Sequence, residues 1–294
     1  VLAHQAGLLA WIPFYKQTLF KDSTSGIMKL RDTLYSKKYS QEFPIEVARN
    51  IYLHYSFTDS ILKQIVETDL LDNINKYCYS DLGYYLLQEI IETNFPDDRK
   101  LNELSADFFY KRLGMENLGF NPLQRLDSSR IIPSEIDFEF RSQVLKGYVH
   151  DMGAAMKGGV SGHAGLFSNS NDLAKLMQLF LQNGENAQER YISGEVVNDF
   201  TRCQFPGNDN RRGAGFDKAR LKNQESGPAS DNASEFGFGH SGFTGTLAWA
   251  DPKSNLVYIF LSNRIHPDSS NKKLISMNVR TEIMNIIYES LNAR

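Results

Sequence analysis

Cysteine is scarce in this chain of 294 residues, which has only Cys78 and Cys203. Two thiols so placed build neither a disulfide framework nor a metal knuckle, and each reads as a small buried hydrophobe. Long apolar runs are missing too, so no membrane insertion is expected. Neither sign of charge dominates: 32 Lys and Arg against 35 Asp and Glu leave a net charge of −3. Neither nucleic acid nor an anionic membrane is therefore the expected partner. No internal repeat and no low-complexity tract interrupts the chain. A Gly-x-Ser-x-Gly elbow is also lacking, because His163 and Phe243 stand where its second glycine belongs after Ser161 and Ser241. That argues against an α/β-hydrolase. Methionine does not open the sequence; Val1 does, with no signal-like segment, so the chain is expected to be part of something longer.

What is present is ordinary for a globular protein: 41% hydrophobic and 23% charged residues. The length suits one large domain or two small ones around a substantial core. Aromatic residues reach 12%, with 14 Tyr and 19 Phe, a composition that suits sugar or peptide binding without establishing it.

Residues Leu2 to Phe20, with Trp11, Phe14 and Tyr15 around Pro13, read as a buried loop or short helix entering a core. Lys21 to Glu42 reads as a surface excursion. Helical periodicity is expected at Ile61, Ile65 and Leu70, then at Leu82, Tyr85, Leu86 and Ile90, with Ser80 as a cap. A helix from Ser105 to Arg112 ends at Gly114, and Pro122 to Ile136 reads as irregular. Asp172 to Phe180 is an amphipathic helix closed by Gly184, and Ser193 caps another through Phe200. Arg212 to Asp217 is expected as a short strand and Lys222 to Glu235 as a Ser/Asn/Gly loop. A hairpin follows, Thr246–Asp251 returning as Leu256–Leu261. A last helix from about Asn271 to Leu291 offers Leu274, Ile275, Val279, Ile283, Ile286, Ile287 and Leu291 to cover a sheet face. Helices in the middle and strands late point to an α+β layered architecture.

Three polar clusters stand out. His240-Ser241-Gly242-Phe243 opens the hairpin, where a basic residue and a hydroxyl at a glycine-relieved strand mouth suit an anionic or carbonyl group. Tyr79-Ser80-Asp81 stands just ahead of a helix. Its bland readings are a buried phenol bonded to backbone and a carboxylate complementing the helix dipole. His150, Asp151 and His163 sit in a glycine-rich stretch. Their spacing fits no compact zinc-ligand pair, and loop-stabilising hydrogen bonds or a place in a substrate pocket are the competing roles.

Taken together, these segments resemble the serine β-lactamase and penicillin-binding-protein superfamily, class C branch. Tyr79-Ser80-Asp81 resembles its Tyr-x-Asn segment and His240-Ser241-Gly242 its Lys/His-Thr/Ser-Gly triplet. His4-Gln5-Ala6-Gly7-Leu8 resembles its His-Thr-Ser-Gly-Leu segment, and Gly159 to Ser168 its Gly-Gly-Leu-x-Ser loop. The Trp11 to Lys16 stretch, Val149-His150-Asp151 and Ser262 to Pro267 resemble a subgroup fused behind family 3 β-N-acetylglucosaminidases. Some relatives in that subgroup are muropeptide amidases.

The resemblance implies a three-layer α/β/α, β-lactamase/DD-peptidase-like α+β fold: an antiparallel sheet with a helical subdomain, N-terminally truncated. Residues 1–294 would form one partial domain, with 21–205 mostly helical and 206–294 holding the sheet hairpin and C-terminal helix. It implies acyl transfer, in which a serine attacks a carbonyl, a base takes its proton and backbone N–H groups hold the oxyanion. Tyr79, Asp81 and His240 would be catalytic; Ser241, Gly242, Phe243, His150 and His163 would bind substrate, Phe243 through its backbone N–H. No cofactor and no metal is expected. Asp81 stands in place of the usual Asn, and an ionised carboxylate only accepts where an amide also donates. His240 stands in place of a Lys, so anion recognition is expected to weaken as pH rises past its pKa.

The family's Ser-x-x-Lys belongs upstream of the His4 segment, where this chain has no room for it. Ser60 with Lys63, Ser269 with Lys272 and Ser270 with Lys273 match the spacing only as chance scatter does. The expected substrate is a peptidoglycan fragment or peptide, in the bacterial periplasm or cell envelope. The fragment itself is expected to be inactive and to dimerise through an exposed sheet edge. A non-catalytic binding or packing module beside a glycosidase is the competing expectation.

Overall fold

The computed structural model describes residues 1–72, 74–221, 224 and 227–293; positions 222, 223, 225 and 226 of the expected Ser/Asn/Gly loop lie outside them. The chain enters through an irregular segment and one 3-10 turn, Phe14–Thr18, which buries Phe14 and Tyr15. Trp11, expected in that core, is instead half exposed. A hairpin of β1 (Leu19–Lys21) and β2 (Met28–Leu30) carries the surface excursion. A three-stranded antiparallel sheet follows in the order β3-β5-β4, from β3 (Tyr35–Ser36), β4 (Ile45–Ala48) and β5 (Ile51–Leu53).

Helix α1 (Ser56–Glu67) buries Phe57, Ile61 and Ile65, one residue per turn on a single face. Leu70 lies beyond its end and is exposed. Helix α2 (Leu82–Asn94) buries Leu82, Tyr85 and Gln88. Ile90 is exposed, because five residues on from Tyr85 it has turned about 140° around the axis. Ser80 accepts from the Leu82 N–H at 3.2 Å, so its hydroxyl caps this helix from just outside. Helix α3 (Leu101–Ser105) starts earlier than the sequence suggests and runs into a π turn at Ala106–Tyr110. Gly114, at φ +60°, then closes the segment.

A hairpin of β6 (Glu135–Asp137) and β7 (Gln143–Leu145) precedes α4 (Met152–Met156) and α5 (Ser170–Leu181). A hairpin of β8 (Glu185–Asn186) and β9 (Glu189–Arg190) leads into α6 (Gly194–Thr201). These three helices start on a side-chain oxygen. Asp151, Asn169 and Ser193 accept from the N–H groups of Ala154, Asp172 and Val196.

The main sheet is antiparallel in the order β10-β11-β12-β13, from β10 (Asp217–Lys218), β11 (Phe238–Ser241), β12 (Leu247–Asp251) and β13 (Leu256–Phe260). The strand expected from Arg212 shrinks to its last residue: Gly213 donates to Phe216 O at 3.0 Å and Gly215 sits at φ +80°, which makes a turn. Alternation along β12 and β13 feeds two faces. Leu247, Trp249, Leu256 and Tyr258 pack with Met284 and Tyr288 of α8 (Val279–Asn292). Ala248, Ala250, Val257 and Ile259 pack with Met177 and Phe180 of α5. Helix, sheet and helix form the three layers.

The C-terminal helix is two helices, α7 (Lys273–Ser276) and α8, parted by Asn278 at φ +51°. Its sheet-facing stripe is Met284, Ile287 and Tyr288. Ile275, Ile283, Ile286 and Leu291, expected on that face, are exposed.

Candidate active site

The helical core (Phe14, Ile61, Leu82, Tyr85, Met156) abuts the sheet across a cavity of about 1270 Å³. All eight residues singled out from the sequence line it: Tyr79, Asp81, His150, His163, His240, Ser241, Gly242 and Phe243. Tyr79 and His240 face each other with ring centroids 6.4 Å apart.

Tyr79 is held from behind by His4, whose ring stacks on it at 4.2 Å. The Nδ1 of His4 meets the Ser80 backbone, 3.1 Å from its N–H and 3.2 Å from its carbonyl oxygen. Burial, then the Arg212 and His240 charges, lower the His4 pKa to about 4. The Tyr79 phenol is pushed up by burial and by the Asp81 charge, with the Arg212 cation opposing. Tyr79 is only partly buried, 39% exposed, and lines the cavity.

Asp81 occupies the N-cap of α2 yet makes no capping hydrogen bond. That role falls to Ser80, and the Asp81 carboxyl is left to the cavity. Burial raises its pKa, the neighbouring Asp151 raises it further, and His163 and a hydrogen bond from Tyr79 oppose.

His163 lies on the cavity floor. Its Nε2 donates to Asp151 Oδ1 at 2.9 Å, its Nδ1 is 2.9 Å from the Ser161 hydroxyl, and Tyr85 stacks on its ring at 4.4 Å. Burial works against the Asp151 charge, but the hydrogen bonds from His163 and the Ala154 N–H hold its carboxyl below the usual range. His150 does not join this pair. It donates through Nδ1 to Glu135 at 2.7 Å, and its ring stacks on Phe243 at 5.1 Å with planes 8° apart. Arg264 lies 4.8 Å from the centroid of the same phenyl. Among the described residues, no group of three His, Cys, Asp or Glu is placed to hold a metal.

Glycine shapes the floor at two points. Gly159 sits at φ +82° with the Asn121 amide where a Cβ would go, and a Cβ on Gly162 would meet Tyr84 O at 2.5 Å. Gln88 ties this loop to α2, donating to Val160 O and accepting from the Gly162 N–H, both at 3.3 Å. Among the described residues, no lysine lines the cavity. Ser60 sits on α1, 3.1 Å from Gln64 Nε2, and does not line it either.

The sequence reading missed four residues that hold this geometry: Gln88, Glu135, Arg212 and Arg264. Arg212 donates to His240 Nε2 at 3.1 Å. Charged and amide residues of these types are common on surfaces, and only their burial or partners single them out.

The sequence profile of the Beta-lactamase family matches residues 1–276. The chain is 35% identical over 216 residues to a protein named "Putative D-alanyl-D-alanine carboxypeptidase" in Salmonella typhi, and equally to its namesake in Salmonella paratyphi B. In each case 68% of this chain and 48% of the relative are covered. The chain thus spans about half the length of the curated relatives it matches. A penicillin-binding protein homologue of Caulobacter crescentus shares the fold at TM-score 0.53 and 20% identity, covering 89% of this chain and 64% of that one. Simvastatin synthase of Aspergillus terreus does so at TM-score 0.58 and 12% identity, covering 100% and 68%. With its three-layer fold and the profile match over nearly its whole length, the chain belongs to the β-lactamase and penicillin-binding-protein superfamily.

Proposed function

We propose that residues 1–294 form the larger part of a serine acyl-transfer site that hydrolyses an amide of a peptidoglycan-derived peptide. The observation that carries this is the approach of Tyr79 to His240 across a cavity floored by Asp81 and His163. One wall is the strand lip Ser241-Gly242-Phe243, where a backbone N–H can meet an oxyanion. The peptide assignment draws on the relatives named as D-alanyl-D-alanine carboxypeptidases; a muropeptide amidase is the finer form of the same chemistry.

Among the described residues, the lining offers a phenol, imidazoles and carboxyls but no serine–lysine pair. The nucleophile and its lysine are therefore assigned to a segment of the parent protein outside residues 1–294. In the assembled site Tyr79 relays the proton between serine and leaving group. Ser241 takes the peptide carboxylate and Asp81 accepts a substrate N–H. The alternative, a binding or packing module beside a glycosidase, draws on the missing pair and on Asp81 standing in place of Asn.

A fluorophosphonate and a fluorescent penicillin separate these readings. Residues 1–294 alone are expected to take up neither, whereas a longer chain carrying an upstream Ser-x-x-Lys labels at that serine. In the longer chain Tyr79→Phe is expected to lower kcat by about 10²–10⁴-fold, with KM little changed. A longer chain that never labels favours the packing module. Stoichiometric labelling inside residues 1–294 overturns the split site, and Ser161, bonded to His163, is the residue to inspect first.

A further inference from the structure

Neither ring nitrogen of His240 is free. Nδ1 lies 2.9 Å from the carbonyl oxygen of Ser241, and a carbonyl only accepts, so Nδ1 carries a proton. Nε2 lies 3.1 Å from Arg212 Nη1, and a guanidinium only donates, so Nε2 carries a lone pair. Both contacts together describe one species, the neutral imidazole protonated on Nδ1.

Arg212 is well placed to enforce it. Only 9% of its side chain is exposed, and the guanidinium is not part of the cavity lining. Nη2 lies 3.3 Å from Asp217, the guanidinium carbon is 5.4 Å from the Tyr79 ring and 5.9 Å from the Tyr77 ring, and Nε has no hydrogen-bond partner among the described residues. We propose that Arg212 is a positioning residue that locks His240 as the neutral Nδ1–H tautomer and supplies, from behind the wall, the fixed positive charge at this end of the site.

The consequence differs from what the His240-Ser241-Gly242 triplet suggests when read alone. With Nε2 occupied, His240 is neither a base nor an anion-binding imidazolium. Its end of the cavity keeps one charge state over the pH range in which the lowered pKa leaves the ring neutral. The titration of the locked ring is set by the groups that face it. Burial and the Arg212 cation lower its pKa, and the Asp217 carboxylate raises it. The Tyr79 ring faces it, and His4 is near enough for the two imidazoles to interact electrostatically. This inference deepens the acyl-transfer reading by relieving His240 of a proton-transfer role, yet its test reads no acyl transfer and is independent of that reading.

Long-range ¹H–¹⁵N correlation spectra of residues 1–294 report tautomer and titration for each of the six histidines, with His240→Gln used for assignment. His240 is expected to show the Nδ1–H pattern and to titrate below the usual histidine range. In Arg212→Gln the His240 titration is expected to move up by about one pH unit, because a neighbouring cation has been removed. Arg212→Lys, which restores the charge without the planar fork, is expected to recover part of that shift. The variant does not strand Asp217, which Arg211 also holds at 2.7 Å and 3.1 Å. An Nε2–H pattern in the unsubstituted protein refutes the lock by itself, even if Arg212→Gln fails to fold. An unchanged titration in a folded Arg212→Gln refutes it too.

Discussion

His4 touches three parts of the site at once: the Tyr79 ring by stacking, the Ser80 N–H by hydrogen bond, and the Arg212 charge through space. Protonating its ring buries a charge and adds a second cation beside Arg212, which outweighs the Ser80 carbonyl that favours the protonated form. Since its folded pKa is about 4 against 6.5 for the free side chain, the unfolded chain binds the extra proton between those values. Stability should therefore rise with pH from about 4 to about 6.5 and then level off. His4→Gln is expected to flatten that slope, as read from urea midpoints at pH 5 and pH 7. Asp81 works in the opposite direction. Its raised pKa means that ionisation costs the fold free energy as pH climbs above the usual carboxylate range. Asp81→Asn should stabilise the protein at pH 7, by roughly 0.5–2 kcal/mol, and have little effect at pH 3; a loss at pH 7 would show that the charge is compensated. Tyr79, Asp81 and His240 were legible because their types recur at a recognisable spacing. Arg212 was not, since nothing local separates it from the neighbouring Arg211, which also contacts Asp217. Only the fold brings its guanidinium against the His240 ring, 28 residues along the chain.

Strand β11 owes its position to a residue with no side chain. A Cβ on Gly239 would meet the Ala248 carbonyl and lie 2.7 Å from Trp249 Cε3, and Trp249 is fully buried. Gly239→Ala is expected to cost more than about 2 kcal/mol, through forced displacement of a packed core. Chemical denaturation measures that directly, and a cost under 0.5 kcal/mol would show that the strand yields. Helices α5 and α6 could be read from sequence because Asp172 to Phe180 is amphipathic and Ser193 announces the first turn of α6. The hairpin could be read because two apolar runs flank the polar turn Lys253-Ser254-Asn255. The division between α7 and α8 escaped notice because Asn278 is unremarkable until its backbone turns left-handed. That turn rotates the apolar stripe, so Met284 and Tyr288 meet the sheet in place of Ile283 and Ile286.

Across the whole molecule, the rotated stripe leaves Ile275, Met277, Ile283, Ile286 and Leu291 open to solvent. Among the described residues, no strand pairs with the outer edge of β13. Residues 1–294 expressed alone are expected to associate through this side with a second copy. Sedimentation should show the average mass rising with concentration, and Ile283→Lys with Ile286→Lys should abolish the rise. A monodisperse monomer at high concentration would count against it. The layered architecture was legible as a whole because composition, helix periodicity and late strands agreed. The site's closure was not, because it depends on partners drawn from distant segments. One of these closures has a mechanical meaning. Glu135 grips His150, His150 lies flat on Phe243, and Arg264 covers the same phenyl. This aromatic crossbar ties the hairpin lip to the loop ahead of α4, so the spacing between the two halves of the pocket is gauged by ring thickness. A bulky guest entering beside Phe243 must prise the stack open, and the site would then register the guest's girth as well as its charge.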